Sequence, residues 1–124
     1  MDPKLPDFDV MIKLTQDIGR LKTSISMYKA LLDDLLARIT YTVMTNEVYW
    51  INKKQPSMDF TKTTFHARGY DEETYAQLKR YRQQIGDDEG LLREKELLFQ
   101  VYRDMIDVWR TESANKRGAT WEGV

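Results

Sequence analysis

The chain has 124 residues, no cysteine, and 19 basic against 20 acidic side chains, for a net charge of -1. This length suits a single domain, and the lack of cysteine excludes a disulfide framework and a thiolate metal site, which fits the reducing cytosol. The balanced charge excludes a globally basic nucleic-acid wrapper but leaves a local basic face open. Charges interrupt every apolar stretch, and residues 1 to 7 are acidic and proline-broken, so we expect neither a membrane span nor a secretory signal.

A long helix is predicted from residue 10 to residue 51, after an N-terminal arm of residues 1 to 9. Its apolar positions alternate in steps of three and four without a miss: Met11, Leu14, Ile18, Leu21, Ile25, Tyr28, Leu32, Leu35 and Ile39. A sustained period of 3.5 residues predicts a left-handed coiled coil with another helix, and Ile at a with Leu at d favours a parallel dimer.

The apolar stripe of this helix widens along its length. The flanking positions are polar early, as at Asp17 and Lys22, and apolar later, as at Leu31, Leu36 and Val43. A narrow stripe suits a two-stranded coil, whereas a broad one suits burial against two neighbours. We therefore expect residues 31 to 50 in the core, and a self-association seam formed by Met11, Leu14, Ile18, Leu21, Ile25 and Tyr28.

A connector is predicted at residues 52 to 70, where Pro56 should stop the preceding helix. Its threonines and the Arg68–Gly69 pair allow two interpretations. One is a short helix capped by Gly69, and the other is a threonine-rich extended stretch. The residue pattern leaves both open.

Two further helices are predicted, at residues 71 to 85 with Asp71 as N-cap and at residues 88 to 112. The segment Gly86–Gly90 between them offers a C-cap glycine and a new acidic N-cap. The last helix carries two adjacent apolar seams, and we expect its broad face to pack on residues 31 to 50. The first seam is Leu91, Leu98, Val101, Met105 and Val108, and the second is Leu92, Phe99, Tyr102, Ile106 and Trp109.

The predicted fold class is therefore all-α. Three main helices form one domain over residues 10 to 112, with the long N-terminal helix packed on the C-terminal helix and the connector between them. Residues 113 to 124 lack any apolar period, and we expect a flexible tail there.

The residues that catalysis requires are scarce. His66 is the only histidine, and no neighbour in sequence would make it a base. The acidic cluster Asp87, Asp88 and Glu89 lacks the ligand spacing of a calcium loop, so helix capping is the expected role. We expect a non-enzyme without metal, cofactor or small-molecule substrate.

Basic and aromatic residues alternate in the middle of the chain, a mixture that suits single-stranded nucleic acid. Lysine and arginine would neutralise phosphates, and aromatic faces would stack on bases. Residues 53 to 82 hold seven basic and four acidic residues, whereas residues 83 to 109 hold three and seven, so pairing between these segments is the alternative. The candidate nucleic-acid contacts are Tyr49, Trp50, Lys53, Lys54, Lys62, Arg68, Lys79, Arg80 and Arg82.

The order of long helix, aromatic and basic connector, and acid-capped last helix resembles the small recombination mediator proteins of T4-like phages. The likeness rests on Tyr49-Trp50 and on residues 85 to 92, although the glycine-containing turn after the aromatic pair is missing here. The resemblance implies an oligomer that binds single strands, and a phage origin would add association with the virion to the cytosolic expectation.

The leading hypothesis from the sequence is a non-catalytic helical assembly or adaptor protein that forms homo-oligomers through its long N-terminal helix and acts by binding other macromolecules, with a protein partner expected. A single-strand-binding accessory protein that uses the connector is the alternative.

Overall fold

A computed structural model describes residues 7 to 122 of the chain, and the side chains of residues 7 to 115. The described part is all-α, as predicted, with a long N-terminal helix that packs on a C-terminal helix. Helix α1 is Phe8–Thr45, and helix α3 is Glu72–Glu122. Between them lies α2, an irregular helix built from α-helical Met58–Phe60, π-helical Thr61–Phe65 and α-helical His66–Arg68.

Helix α1 is capped by Asp7 and ends six residues before the predicted limit. The Asp7 carboxylate accepts a hydrogen bond from the backbone N–H of Asp9 at 2.9 Å. At the other end, the side chain of Asn46 accepts from the backbone N–H of Val48 and starts a short 3-10 turn, Glu47–Tyr49. Asparagine competes with helical hydrogen bonds in this way, so α1 stops well before the proline.

A tight turn at Asn52 and Lys53 reverses the chain. Both residues have positive φ, at 53° and 64°, and the backbone groups of Ile51 and Lys54 pair across them at 3.0 and 3.2 Å. Two left-handed residues between a hydrogen-bonded pair are the mark of a type I′ turn. The reversal therefore precedes Pro56.

Helix α2 settles the alternatives for the connector in favour of a helix that Gly69 terminates. Ser57 caps its start, since its hydroxyl accepts from the backbone N–H of Phe60 at 3.1 Å. Gly69 has a φ of 67°, and its N–H donates to the carbonyl of Phe65 at 2.7 Å. Glycine adopts such a backbone without the penalty that a Cβ would bring.

Helix α3 runs without interruption through Gly86–Gly90, so the predicted break into two helices is wrong. A glycine inside a helix costs about 1 kcal/mol relative to alanine, which packing on either side can offset. The predicted tail is also helical, as far as Glu122. Within the described residues, no helix has a stretch apolar enough to cross a bilayer. The predicted arm falls largely on residues 1 to 6, which lie outside the described part.

The chain divides into two compact units. One contains the residues up to Lys22 together with those from Gly90 onward, and the other is Thr23–Glu89. In the first unit, the Lys95 ammonium lies 3.6 Å from the Asp17 carboxylate, which joins α1 to α3, and Leu14 is buried.

The second unit holds a core of Ile39, Val43 and Leu78, each almost fully buried. The prediction that residues 31 to 50 lie in the core is confirmed in part, since this stretch supplies Ile39 and Val43, whereas Leu31 is 39% exposed. The α3 residue that fills this core is Leu78, from the predicted helix 71 to 85, and not one from residues 88 to 112 as we expected. Six partly buried residues pack around it: Leu32, Leu35, Leu36, Tyr49, Phe65 and Tyr70.

Candidate functional site

The predicted self-association seam on α1 is covered by its own chain. Leu14 is 4% exposed and Ile25 8%, and Met11, Ile18, Leu21 and Tyr28 are half-buried. Within the second unit, the Tyr28 ring packs on that of Tyr81 with centroids 6.1 Å apart. In this conformation Leu14 and Ile25 are therefore unavailable to another molecule, and the other four seam residues are only partly available.

Helix α3 carries a second stripe that remains open, which we call the outer seam. It consists of the five residues of the first seam predicted on this helix: Leu91, Leu98, Val101, Met105 and Val108. All five are between 36% and 52% exposed. Their spacing is that of a and d positions in a heptad repeat, with Glu94 at the one polar position between Leu91 and Leu98.

The neighbouring stripe on α3 faces inward, and we call it the inner stripe. Four residues of the second predicted seam are half-buried: Leu92, Phe99, Tyr102 and Ile106. Trp109, the fifth residue of that seam, is 36% exposed. Leu97 belongs to neither stripe and is 67% exposed. One helix therefore has two apolar stripes, of which the fold of this chain uses one.

The acidic cluster has a role that the sequence reasoning missed. The Ser24 hydroxyl donates to Asp88 at 2.6 Å, and Lys29 pairs with Glu89 at 3.3 Å, so these carboxylates join α3 to α1 and cap no helix. A signal was present in the spacing. Inner-stripe positions continue in steps of three and four through Leu78, Tyr81, Ile85, Asp88, Leu92, Lys95, Phe99, Tyr102, Ile106 and Trp109.

His66 makes a contact between two helices. Its Nε2 lies 2.7 Å from the Thr40 hydroxyl, which itself donates to the carbonyl of Leu36 at 2.9 Å, so the hydroxyl accepts from the imidazole N–H. Burial, followed by the positive charges of Arg82 and Lys62, lowers the pKa of His66, against a backbone hydrogen bond to Leu36 that raises it. The ring is therefore held neutral at physiological pH.

The two aromatic residues predicted to stack on nucleic-acid bases are engaged in packing. Tyr49 is half-buried between Phe65 and Tyr70, with ring centroids 5.9 and 5.5 Å away. The indole N–H of Trp50 donates to the carbonyl of Val43 at 3.2 Å. Tyr49 thus packs against the core of the second unit, and Trp50 is bonded to the backbone of α1.

The basic residues of the same prediction lie on the surface of the second unit. Arg82 on α3 and Lys62 on α2 both lie close enough to His66 for their positive charges to lower its pKa. All seven are exposed: Lys53, Lys54, Lys62, Arg68, Lys79, Arg80 and Arg82.

Among the described residues, no three histidine, aspartate or glutamate side chains are grouped so that they could hold a metal ion. The arrangement that distinguishes this chain is the exposed heptad stripe on α3. Comparison with protein-family models, with curated proteins and with solved structures finds no match.

Proposed function

We propose that this protein is a non-catalytic helical assembly or adaptor protein, and that it self-associates through the outer seam on α3. The observation that carries the proposal is the exposure of all five outer-seam residues at heptad spacing. Single exposed apolar residues are ordinary on protein surfaces, whereas an aligned stripe marks an interaction site.

Burial energy at the outer seam is large enough to support weak association. Burying an apolar side chain of this size completely contributes roughly 1.5–3 kcal/mol, so covering the exposed half of five such residues contributes roughly 3–7 kcal/mol per copy. Two copies together gain about twice that amount, against an association cost of about 4–15 kcal/mol. The gain and the cost are of similar size, so we expect a weak dimer whose population depends on protein concentration.

The small core favours assembly too. Within the described residues, the buried apolar side chains are Leu14, Ile25, Ile39, Val43 and Leu78. Small domains with little burial commonly gain stability from a second copy. Self-association through α1, by contrast, would require its seam to leave α3 of the same chain, so α3 is the better candidate for the interface.

Sedimentation equilibrium or light scattering tests the proposal, with Val101→Glu and Gln100→Glu as a matched pair. Both substitutions add one negative charge at neighbouring exposed positions, but only Val101 belongs to the outer seam. We expect mass to rise with concentration in the wild type and in Gln100→Glu, and Val101→Glu to stay monomeric with unchanged helicity. A wild-type chain that is monomeric at its highest soluble concentration contradicts the proposal, as does a Val101→Glu variant that associates as strongly as the wild type.

Binding of single-stranded nucleic acid is a second candidate, supported by the exposure of all seven basic residues on the second unit. Because Tyr49 and Trp50 are engaged in packing, phosphate contacts would carry this binding with little base stacking. Fluorescence anisotropy with a labelled oligonucleotide tests it. We expect an affinity that falls with salt and weakens in Lys53→Gln/Lys54→Gln, and no binding at low salt contradicts this candidate.

A further inference from the structure

The outer seam, with Glu94 included, has the same spacing when read in either direction. Its positions follow one another in steps of three, four, three, four and three, from Leu91 to Val108. When two such seams run antiparallel, an a position of one helix meets a d position of the other. Leu91 then meets Val108, Leu98 meets Val101, and Glu94 meets Met105 of the second copy.

The charge of Glu94 distinguishes the two orientations. In a parallel pair in register, both Glu94 side chains occupy one layer of the seam, where like charges repel at short range and lose water. In the antiparallel pair, each Glu94 lies beside Met105, so the two carboxylates are separated by about eleven residues, or roughly 16 Å of helix. That separation is about twice the Debye length of roughly 8 Å at physiological ionic strength.

The helix dipoles favour the same orientation, because antiparallel helices place opposite partial charges side by side. We propose that the outer seam binds a second copy of this chain with the two α3 helices antiparallel, about a twofold axis level with Phe99 and Gln100. The proposal rests on self-association through α3 and specifies its partner and orientation. It gives an isologous interface, which closes at two copies.

The lack of cysteine in the chain allows a direct test by cross-linking. Leu91 and Val108 are both about half exposed, so a cysteine at either position leaves the core intact. They are 17 residues apart, or about 25 Å along the helix, far beyond the span of a disulfide. Three samples are oxidised and run on a non-reducing gel: Leu91→Cys, Val108→Cys and an equimolar mixture of the two variants.

The antiparallel pair predicts a cross-linked dimer in the mixture and little in either variant alone. A parallel pair predicts the reverse, with each variant cross-linking to itself. Gln100→Cys, which is exposed but outside the outer seam, reports the background from random collision.

Sedimentation of the reduced variants separates the two proposals. One outcome is that the variants sediment as dimers under reducing conditions and yet form cross-links only when each is oxidised alone. That result overturns the antiparallel orientation and leaves the proposal of assembly through α3 standing. A reduced monomer overturns both, and so does a dimer that gives only the background level of cross-linking in every combination.

Replacing Glu94 tests whether repulsion between the two Glu94 carboxylates is what disfavours the parallel orientation. In Glu94→Leu the penalty on the parallel pair disappears, so we expect the cross-linking of Val108→Cys to itself to rise from background to a level comparable with that of the mixture. Retention of a purely antiparallel pattern in Glu94→Leu would show that Glu94 does not select the orientation.

Discussion

Ser24 on α1 donates a hydrogen bond of 2.6 Å to Asp88 on α3, within the second unit. Asp88 is 8% exposed, and its other oxygen accepts from Gln84 at 3.0 Å. Two neutral donors thus solvate a buried carboxylate, which is one of the two charged groups in the inner stripe. Breaking one of these bonds should be costly, because a buried charged acceptor without its partner loses the solvation it had in water.

Substituting Ser24 by alanine should therefore lower the free energy of unfolding by about 1–3 kcal/mol. Urea denaturation followed by circular dichroism measures the change. Ser26→Ala is the control, since Ser26 is exposed on the same helix and should change stability little. Equal effects of the two substitutions would mean that the contact with Asp88 contributes nothing.

Alanine at Gly86 or Gly90 should stabilise the protein. Apart from chain neighbours and the backbone of its own helix turn, a Cβ at either position has no atom within 4 Å. Both residues lie inside α3, where alanine is favoured over glycine by up to about 1 kcal/mol. Thermal denaturation should show a higher Tm for each variant. A lower Tm would indicate that the helix does not continue through this segment.

Alanine at Gly69 should have the opposite effect. The φ of 67° strains any residue with a side chain, and a Cβ would lie 2.9 Å from both the Cβ of Thr74 and the backbone nitrogen of Tyr75. We expect a loss of about 1–3 kcal/mol, measured in the same denaturation assay. Gly86→Ala is the matched glycine control, and similar Tm changes in the two variants would contradict the assigned geometry.

Stability should fall as the pH is lowered through the titration range of His66. Its pKa is lowered in the folded state, so between the folded and unfolded values the unfolded chain binds more protons, and stability rises with pH. The stabilisation that His66 contributes is complete at a pH above the ordinary pKa of histidine, and it declines as the pH drops below that pKa. Urea midpoints from about pH 8 to about pH 5 should decrease more in the wild type than in His66→Gln. Parallel pH profiles of the two proteins would exclude His66 as the source.

The heptad spacing of α1 predicted that this helix packs against another helix, and α3 is that helix. The spacing does not say whether the partner helix belongs to the same chain or to a second copy. That depends on where the chain reverses. The residue types indicated the reversal at Asn52 and Lys53 only in part, because asparagine adopts positive φ more often than most residues with a side chain but lysine seldom does. In the folded chain, α3 packs on α1 through Tyr28–Tyr81 and Asp17–Lys95.

The continuity of α3 could have been predicted. The inner stripe keeps its phase across Gly86 and Gly90, but Asp88 and Lys95 made two of its positions look polar. Both charges are satisfied by α1, through Ser24 and Asp17. Weighing helical phase above the glycine signal would have given one helix and would have assigned the acidic cluster to contacts between helices.

The candidate interface could be predicted only in part. Sequence spacing identified two adjacent seams on the last helix, but both have the same period and similar apolar content. Which of them faces α1 depends on tertiary packing, since Lys95, in line with the inner stripe, pairs with Asp17. The outer seam was therefore recognised as apolar but not as exposed.

Trp109 stands at the border of the two stripes and is 36% exposed, so the chain contains its own optical reporter of whatever covers α3. Indole emission shifts to the blue when water is removed from around the ring. Trp50, whose N–H is already bonded to Val43, should keep a constant spectrum as protein concentration rises. With Trp121 replaced by phenylalanine, the emission of Trp109 would follow the burial of this helix without any attached label.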